Sequence, residues 1–496
     1  MNILLLYPEF PPTFWSFSYA LKFIGRKSVA PPLGLLTVAA MLPTHFSVRL
    51  VDLNVTRLRD HDLAWADYAF ISAMSVQQAS ARELITRCKK AGVPIVAGGP
   101  LFTSQPAQFS DVDHLLLNEA ELTLAPFLKD LAAGHPQKIY SASGFADLRL
   151  SPLPRFDLVD FKRYAVMPIQ CSRGCPFDCE FCDVTTLFGH QPRLKSATQV
   201  TAELDALHQL KWKGPIFFVD DNLVGNRRYL KNELLPALLR WQERFGPNRF
   251  NSQASINVAD DPELLAQLSR AGFDTLFIGI ETPDEDSLAS CNKRQNTRRD
   301  LLADVRKIQA AGIQVQGGFI LGFDTDRDSI FQRQIDFIQS SGIVTAMVGL
   351  LQALPGTRLH QRLQTANRLQ EIDFGDNVAG TTNIVPVMRL DALRQGYFRV
   401  MQALYSPRGY YRRLRTFLKA YKAPQVRSPL RLDYLRAFIR ANLVLGVLGR
   451  ERFQYWYTLA WTLCTRPRLF PTTVHLAILG YHYQRVCRHF LPQPKA

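Results

Sequence analysis

The apolar positions of the first 140 residues fall into short continuous runs, at 3–7, 48–52, 68–73, 94–99 and 114–118. Stretches with helical spacing, at 33–42, 80–92 and 120–134, separate them. Runs that are apolar throughout belong to strands buried on both faces, the habit of a parallel sheet covered by helices. The pattern predicts a doubly wound α/β domain whose ligand edge is the row of strand carboxyl ends. Those ends carry Tyr7, Pro8, Ser75, Gly98, Gly99, Pro100, Asn118 and Glu119. Glycine at 98 and 99 would let the backbone approach a bound molecule closely. The chain has no GxGxxG and no GxxxxGK[ST] string, so no motif supports nucleotide binding.

Residues 141–165, with Ser151-Pro152-Leu153-Pro154, read as a linker. A second alternation begins at 166. Strand-like runs at 166–171, 215–221, 249–256, 275–281, 314–322 and 344–353 are separated by helical patterns at 196–210, 227–246, 261–272, 296–312 and 327–342. Six such steps predict a partial (β/α)6 barrel over 166–354, with its chemistry at the carboxyl face. Asp220 and Asp221 end the second strand, Ser255 and Asn257 flank the end of the third, and Glu281 ends the fourth. Arg173 and Arg193 bracket the loop after the first strand and are expected as solvated surface residues. From 355 to 496 the pattern is helical, with aromatics and arginines interleaved at 410–413, 434–448, 453–463 and 474–483.

At 496 residues, two to four domains are expected, and 47% apolar with 21% charged residues is a globular composition. The start of the chain lacks the basic segment of a signal peptide, and no run of eighteen apolar residues occurs. Clustered cysteines fit a reducing cytoplasm. The formal charge of +16 is concentrated in the tail: residues 405–496 hold seventeen Lys and Arg against Asp433 and Glu451 alone. The plainest reading is a helical domain with a cationic outer face. A second is peripheral contact with an anionic membrane, Trp456, Trp461 and the tyrosines sitting at the interface. RNA binding has no motif behind it, and nucleic acid is not the expected partner.

The chemistry is concentrated in Cys171-Ser-Arg-Gly-Cys175-Pro-Phe-Asp-Cys179-Glu-Phe-Cys182. Thiolates so close together suit a soft metal centre. Zinc sites come as paired CxxC halves or add histidines at short spacing; here no second CxxC exists and His190 stands alone. Three ligands without a fourth favour an iron–sulfur cluster with one open iron. CxxxCxxC with Phe181 before its last cysteine resembles the radical S-adenosylmethionine (radical SAM) signature. The resemblance implies that Cys175, Cys179 and Cys182 hold a 4Fe-4S cluster whose fourth iron is chelated by SAM. Cys171 is off-pattern and is expected to be a plain strand-end thiol. By the same resemblance Asp220 and Asp221 match a paired carboxylate of this class, and Glu281 matches its SAM-contacting Glu.

An α/β domain ahead of such a core resembles the cobalamin-binding domain of cobalamin-dependent radical SAM enzymes, as do Pro31-Pro32-Leu33-Gly34, Gly98-Gly99-Pro100 and Asn118-Glu119-Ala120-Glu121. The DxHxxG signature of the wider cobalamin group is absent, leaving the lower axial ligand open. The tail resembles that of a subset including hopanoid methylases. What this implies is a reduced cluster that cleaves SAM to a 5′-deoxyadenosyl radical, hydrogen removal from an unactivated carbon, and methyl delivery from methylcobalamin. The expected partners are an apolar small-molecule substrate, such as a polycyclic lipid or tetrapyrrole, and a reductant such as flavodoxin or ferredoxin. Three alternatives stand beside methylation. One is cyclisation or rearrangement with the same cofactors. Another is tRNA methylthiolation, although those enzymes carry three further cysteines where residues 1–140 hold only Cys88. The last is a zinc-bound nucleic-acid module without catalysis.

Overall fold

Strands β1 (Asn2–Tyr7), β2 (Ser47–Asp52), β3 (Tyr68–Ser72), β4 (Ile95–Gly98), β5 (His114–Leu116) and β6 (Ile139–Tyr140) form a parallel sheet ordered β2-β1-β3-β4-β5-β6. Successive residues of each strand turn to opposite faces. Leu4, Leu6 and Ile71 enter a buried cluster with Leu84, Cys88 and Phe102, while Ile3, Leu5 and Phe70 enter another with Leu35 and Phe127. Two cores on one sheet are what unbroken apolar runs require. The strand order reverses between β1 and β3, the switch point where such sheets open a crevice at their carboxyl ends. Strand β6 was not expected, because a two-residue edge strand makes no apolar run.

The computed structural model describes residues 1–370, 378–423 and 432–490. The chain divides into two units, Met1–Pro11 with Lys27–Pro176 and Asp183–Lys213, and Pro12–Arg26 with Phe177–Cys182 and Gly214–Ala496. In the first unit the stretch 141–165 is no free linker. Buried Phe156 and Tyr164 hold it down, Arg155 N–H donates to Leu36 O at 3.1 Å, and the Tyr164 hydroxyl donates to Asp52 Oδ2 at 2.8 Å. Strand β7 (Met167–Ile169) leads toward the cysteines, followed by an antiparallel pair, β8 (Ser172–Arg173) with β9 (Arg193–Leu194).

The second unit carries parallel strands β10 (Ile216–Phe218), β11 (Phe250–Gln253), β12 (Phe273–Glu281), β13 (Gln314–Leu321) and β14 (Ala346–Leu350), ordered β14-β13-β12-β11-β10. Leu276, Ile278 and Ile280 of β12 are wholly buried, leaving Phe277, Gly279 and Glu281 on the opposite face. The long helix expected at 227–246 forms with a π-helical turn inside it, Leu230–Leu234. Residues Pro12–Arg26 pack within this unit: the Phe14 ring lies 5.5 Å from Tyr405 and 5.3 Å from Tyr483, and the Trp15 ring lies 5.1 Å from Phe277.

The tail corrects one expectation. Tyr405, Tyr410, Tyr411, Tyr455 and Tyr483 are not interfacial; all are buried in the helical core. The wholly buried Arg413 sits among them, donating to Leu404 O at 3.0 Å and Val344 O at 3.1 Å, with the Tyr405 and Tyr410 rings 5.5 and 5.4 Å from its guanidinium. A helix that repeats aromatics at helical intervals offers them equally to a core or to a membrane, and here most go to the core. Among the described residues no helix is long and apolar enough to cross a membrane.

Candidate active site

In the second unit the later half of the cysteine loop is pinned from several directions. Cys182 N–H donates to Cys179 O at 3.1 Å and Glu180 N–H to Cys291 O at 2.9 Å. The Asp178 carbonyl accepts from Asn292 and Arg358, both at 2.7 Å. Arg362 clamps the Glu180 carboxylate at 2.6 Å. These bonds fix the direction of the backbone that carries the thiols. Cys179 is buried and its sulfur is 3.5 Å from the Gln295 side-chain nitrogen. The Phe181 ring lies 6.3 Å from that of Phe323.

Glu281, at the end of β12, takes a left-handed backbone conformation (φ 66°) that a side chain rarely adopts. Its carboxylate is 2.7 Å from Lys293 Nζ, and that ammonium stands 5.7 Å over the Phe181 ring. Burial disfavours the charge on Lys293, but Glu281, Cys179 and Cys182 outweigh it and hold the group protonated. Gly279 leaves room for this pair, since a methyl there would come within 2.9 Å of Lys293 Nζ and displace it. Ser255 and Asn257 meet through their side-chain oxygens at 2.6 Å. Asn222 bonds Ser255 at 3.2 Å, and Arg227 holds the Asn257 carbonyl at 2.6 Å. Asp220 is buried and Asp221 half-buried at the end of β10. An apolar crevice opens among Phe14, Trp15, Phe277, Met347 and Tyr483.

In the first unit Tyr7, Pro8, Ser75, Gly98, Gly99, Pro100, Asn118 and Glu119 all stand at strand carboxyl ends or in the turns just after them. Gln77 joins the β1 and β3 ends by donating to Pro8 O at 2.6 Å. Gly98 and Gly99 are tightly packed within the chain: a methyl on Gly98 would lie 2.9 Å from Leu116 O, and one on Gly99 would lie 2.7 Å from Ser72 Oγ. One expectation needs correction. Arg173 and Arg193 are not solvated but 14% and 18% exposed. Glu119 accepts from Arg173 at 2.8 Å, Arg193 at 2.9 Å and Ala146 N–H at 2.7 Å, and Arg173 also holds Glu121 at 2.8 Å. The Glu119 carboxylate is therefore taken up by the protein, because buried arginines need buried acids. Cys175 anchors here through its N–H to Gly189 O at 3.2 Å. Cys171 and Cys88 are buried, and burial pushes the Cys88 thiol up to about 11.

Family comparison decides what these parts belong to. The B12 binding domain family matches residues 24–128, the radical SAM superfamily residues 169–338, and a domain of unknown function (DUF4070) residues 357–495. An uncharacterized methyltransferase of Synechocystis sp. is 40% identical over 99% of this chain and 90% of its own length. The hopanoid C-2 methylase of Rhodopseudomonas palustris is 36% identical over 75% of this chain and 72% of its own. The chain belongs to the cobalamin-dependent radical SAM methyltransferases. The bacteriochlorophyllide d C-12(1)-methyltransferase of Chlorobaculum tepidum is 27% identical over 71% of this chain and 77% of its own. The cobalamin-dependent SAM radical enzyme OxsB, solved with aqua-cobalamin and SAM, shares the fold at TM-score 0.62 and 16% identity, over 99% of this chain and 84% of that one.

This methyltransferase family uses a 4Fe-4S cluster, SAM and cobalamin, and the residues present suit all three. None of the three motif cysteines is in a disulfide, and Lys293 is placed to offset the charge of Cys179 and Cys182. A buried carboxylate–ammonium pair and the Ser255–Asn257 contact give β11 and β12 polar ends of the kind a zwitterion such as SAM binds. At the first unit's switch point Tyr7, Pro8 and Gln77 stand between the β1 and β3 ends. His45 stands just before β2 and His114 opens β5, both at the opposite edge of that sheet, and His61 and His135 are exposed. Sequence reasoning missed Lys293, Gln295 and Arg227; they lie in turns and helix starts, outside the strand alternation that pointed to the rest.

Proposed function

We propose that this enzyme methylates an unactivated carbon of an apolar polycyclic substrate, a lipid of the hopanoid type or a long-tailed tetrapyrrole. What carries the reading is the likeness to the hopanoid C-2 methylase over about three-quarters of both chains; the bacteriochlorophyllide methyltransferase extends it to tetrapyrroles. In this reading residues 1–140 serve cobalamin, 141–165 connect, 166–354 serve the cluster and SAM, and 355–496 serve the substrate.

Bound together, the cluster, SAM and cobalamin supply reductive SAM cleavage, hydrogen abstraction and methyl transfer. The protein's task is to position and to exclude water. Cys175, Cys179 and Cys182 would hold the cluster, with Phe181 beside it. Glu281, oriented by Lys293 at 2.7 Å, would take the SAM amino group, and Asp220, Asp221, Ser255 and Asn257 would complete that side. Tyr7, Pro8, Ser75, Gly98, Gly99, Pro100 and Asn118 would form the edge that holds cobalamin, with Glu119 acting through Arg173 and Arg193. An apolar substrate of this kind resides in a membrane. The reading therefore puts the enzyme at the cytoplasmic membrane surface, with flavodoxin or ferredoxin as its reductant.

Anaerobic reconstitution should load about four iron per chain. Cys175→Ala, Cys179→Ala and Cys182→Ala should each abolish SAM cleavage, and Cys171→Ala should retain it. A dispensable Cys175 beside an essential Cys171 would overturn the ligand assignment.

A further inference from the structure

Helices Leu432–Ala441 and Arg452–Thr465, with the π-helical turn Asn442–Val447 between them, fold back on one another. The Trp456 indole N–H donates to Gly446 O at 3.0 Å, and the Tyr455 hydroxyl donates to Asn442 at 2.7 Å. Gly446 is needed for this approach, since a methyl there would stand 2.9 Å from the Trp456 ring. The hairpin is thus closed on its inner side. Its outer side is not covered by the other described residues.

Leu435, Ile439, Leu443 and Val447 recur every four residues, which sets them along one helical face, and each is 55–60% exposed. At the tip Leu448 and Phe453 are both 74% exposed, and Tyr457 on the return helix is 58% exposed. So many large apolar side chains in one supersecondary unit exceed the scattered exposure of an ordinary soluble surface. Their neighbours are cationic. Arg436, Arg450 and Arg452 are exposed; Arg452 lies 5.1 Å over the Phe453 ring and Arg415 lies 5.0 Å over that of Tyr457. Glu451, one of only two acids in the last ninety-two residues, is 4% exposed. The outward face therefore offers aliphatic and aromatic groups ringed by arginine.

We infer that the hairpin 432–465 is a docking element for an anionic membrane leaflet, its tip entering the headgroup–acyl boundary without crossing the bilayer. A leaflet of anionic lipid answers both halves of this surface, the apolar face and the arginines. RNA would satisfy the arginines and leave Leu448 and Phe453 in water. A second copy of the chain would bring the same positive ring against itself. The purpose, access to a membrane-borne substrate, rests on the function proposed above; the binding does not.

The test is sedimentation of the full-length, cofactor-loaded protein with vesicles of phosphatidylcholine, alone or mixed with phosphatidylglycerol. The protein should pellet with the anionic vesicles and much less with the neutral ones, and about 1 M salt should weaken pelleting by shortening the reach of the charge. Leu448→Asp with Phe453→Asp should cut the bound fraction about tenfold, two apolar anchors being lost. Arg450→Glu with Arg452→Glu should erase the preference for anionic lipid. Brominated lipid should quench tryptophan emission of the wild type more than that of Trp456→Phe. Equal pelleting of wild type and the Leu448/Phe453 variant would overturn the inference, as would pelleting with RNA alone. A dimer that dissociates in that variant while vesicle binding is unchanged would also overturn it. Methyl transfer to detergent-solubilised substrate separates the two proposals. If it proceeds while vesicle binding fails, only the hairpin is wrong; if vesicles bind and no apolar substrate is methylated, only the substrate class is.

Discussion

Lys293 is the residue whose role the structure changes most. Its ammonium bonds Glu281 at 2.7 Å and stands over Phe181, between the end of β12 and the cysteine loop. A fixed positive charge there would favour the more negative, reduced state of a cluster on that loop, since cluster potentials follow local net charge. Lys293→Met should therefore make the cluster potential more negative by tens of millivolts, read by an electron paramagnetic resonance redox titration. It should also weaken SAM binding, because Glu281 loses the partner that orients it. Lys293→Arg should restore the potential and only part of the binding. An unchanged potential would reduce Lys293 to a structural prop. Glu281 was legible from the sequence because it closes an apolar strand. Lys293 was not, because a lysine in a turn twelve residues on looks like any solvated lysine.

At the scale of elements, the buried cluster of Arg173, Arg193, Glu119 and Glu121 ties the start of a helix, Ala120–Ala132, to the β8–β9 pair. Removing one member leaves buried charge uncompensated, so Arg173→Ala should cost roughly 3 kcal/mol of stability, measured by denaturant unfolding. Burial works against ionisation of Glu121, but the Arg173 charge and hydrogen bonds outweigh it and hold its carboxyl below the ordinary value. A carboxyl depressed in the folded state contributes stability above its unfolded value, about 4.5, and loses it as pH falls through the folded one. Unfolding midpoints should drop on acidification below that point, and Glu121→Gln should flatten the drop while lowering stability near neutrality. The strands themselves were readable, since unbroken apolar runs admit few alternatives. The short β6, the 3-10 turns of 141–165 and the π-helical turn at Leu230–Leu234 depend on distant packing and leave no periodic signal. Which arginines would be buried was equally hidden, because burial of a charge depends on acids brought near only by folding.

Across the whole molecule, the sequence foretold two parallel sheets and a helical tail, and it foretold the tail's charge. It did not show that the aromatics divide between two tasks. Tyr405, Tyr410, Tyr455 and Tyr483 pack the core, the first two beside Arg413, while Phe453, Trp456 and Tyr457 are exposed. Nor did it show that Pro12–Arg26 leaves the first unit's residues to pack with the second. Among the described residues Arg413 donates to carbonyls and not to a carboxylate, so Arg413→Ala would take a donor from two acceptors and leave a large cavity. It should lower the thermal midpoint sharply, whereas Arg450→Ala at the hairpin tip should leave it almost unmoved. The central claim is that this assembly transfers a methyl group to an apolar polycyclic carbon. Anaerobic incubation of the reconstituted enzyme with methyl-labelled SAM, a reductant and hopanoid or tetrapyrrole extracts tests it most directly. The account predicts label in the extracted apolar product, with S-adenosylhomocysteine and 5′-deoxyadenosine both formed. Formation of 5′-deoxyadenosine with all label still on SAM or methionine and a rearranged, unmethylated product would contradict it.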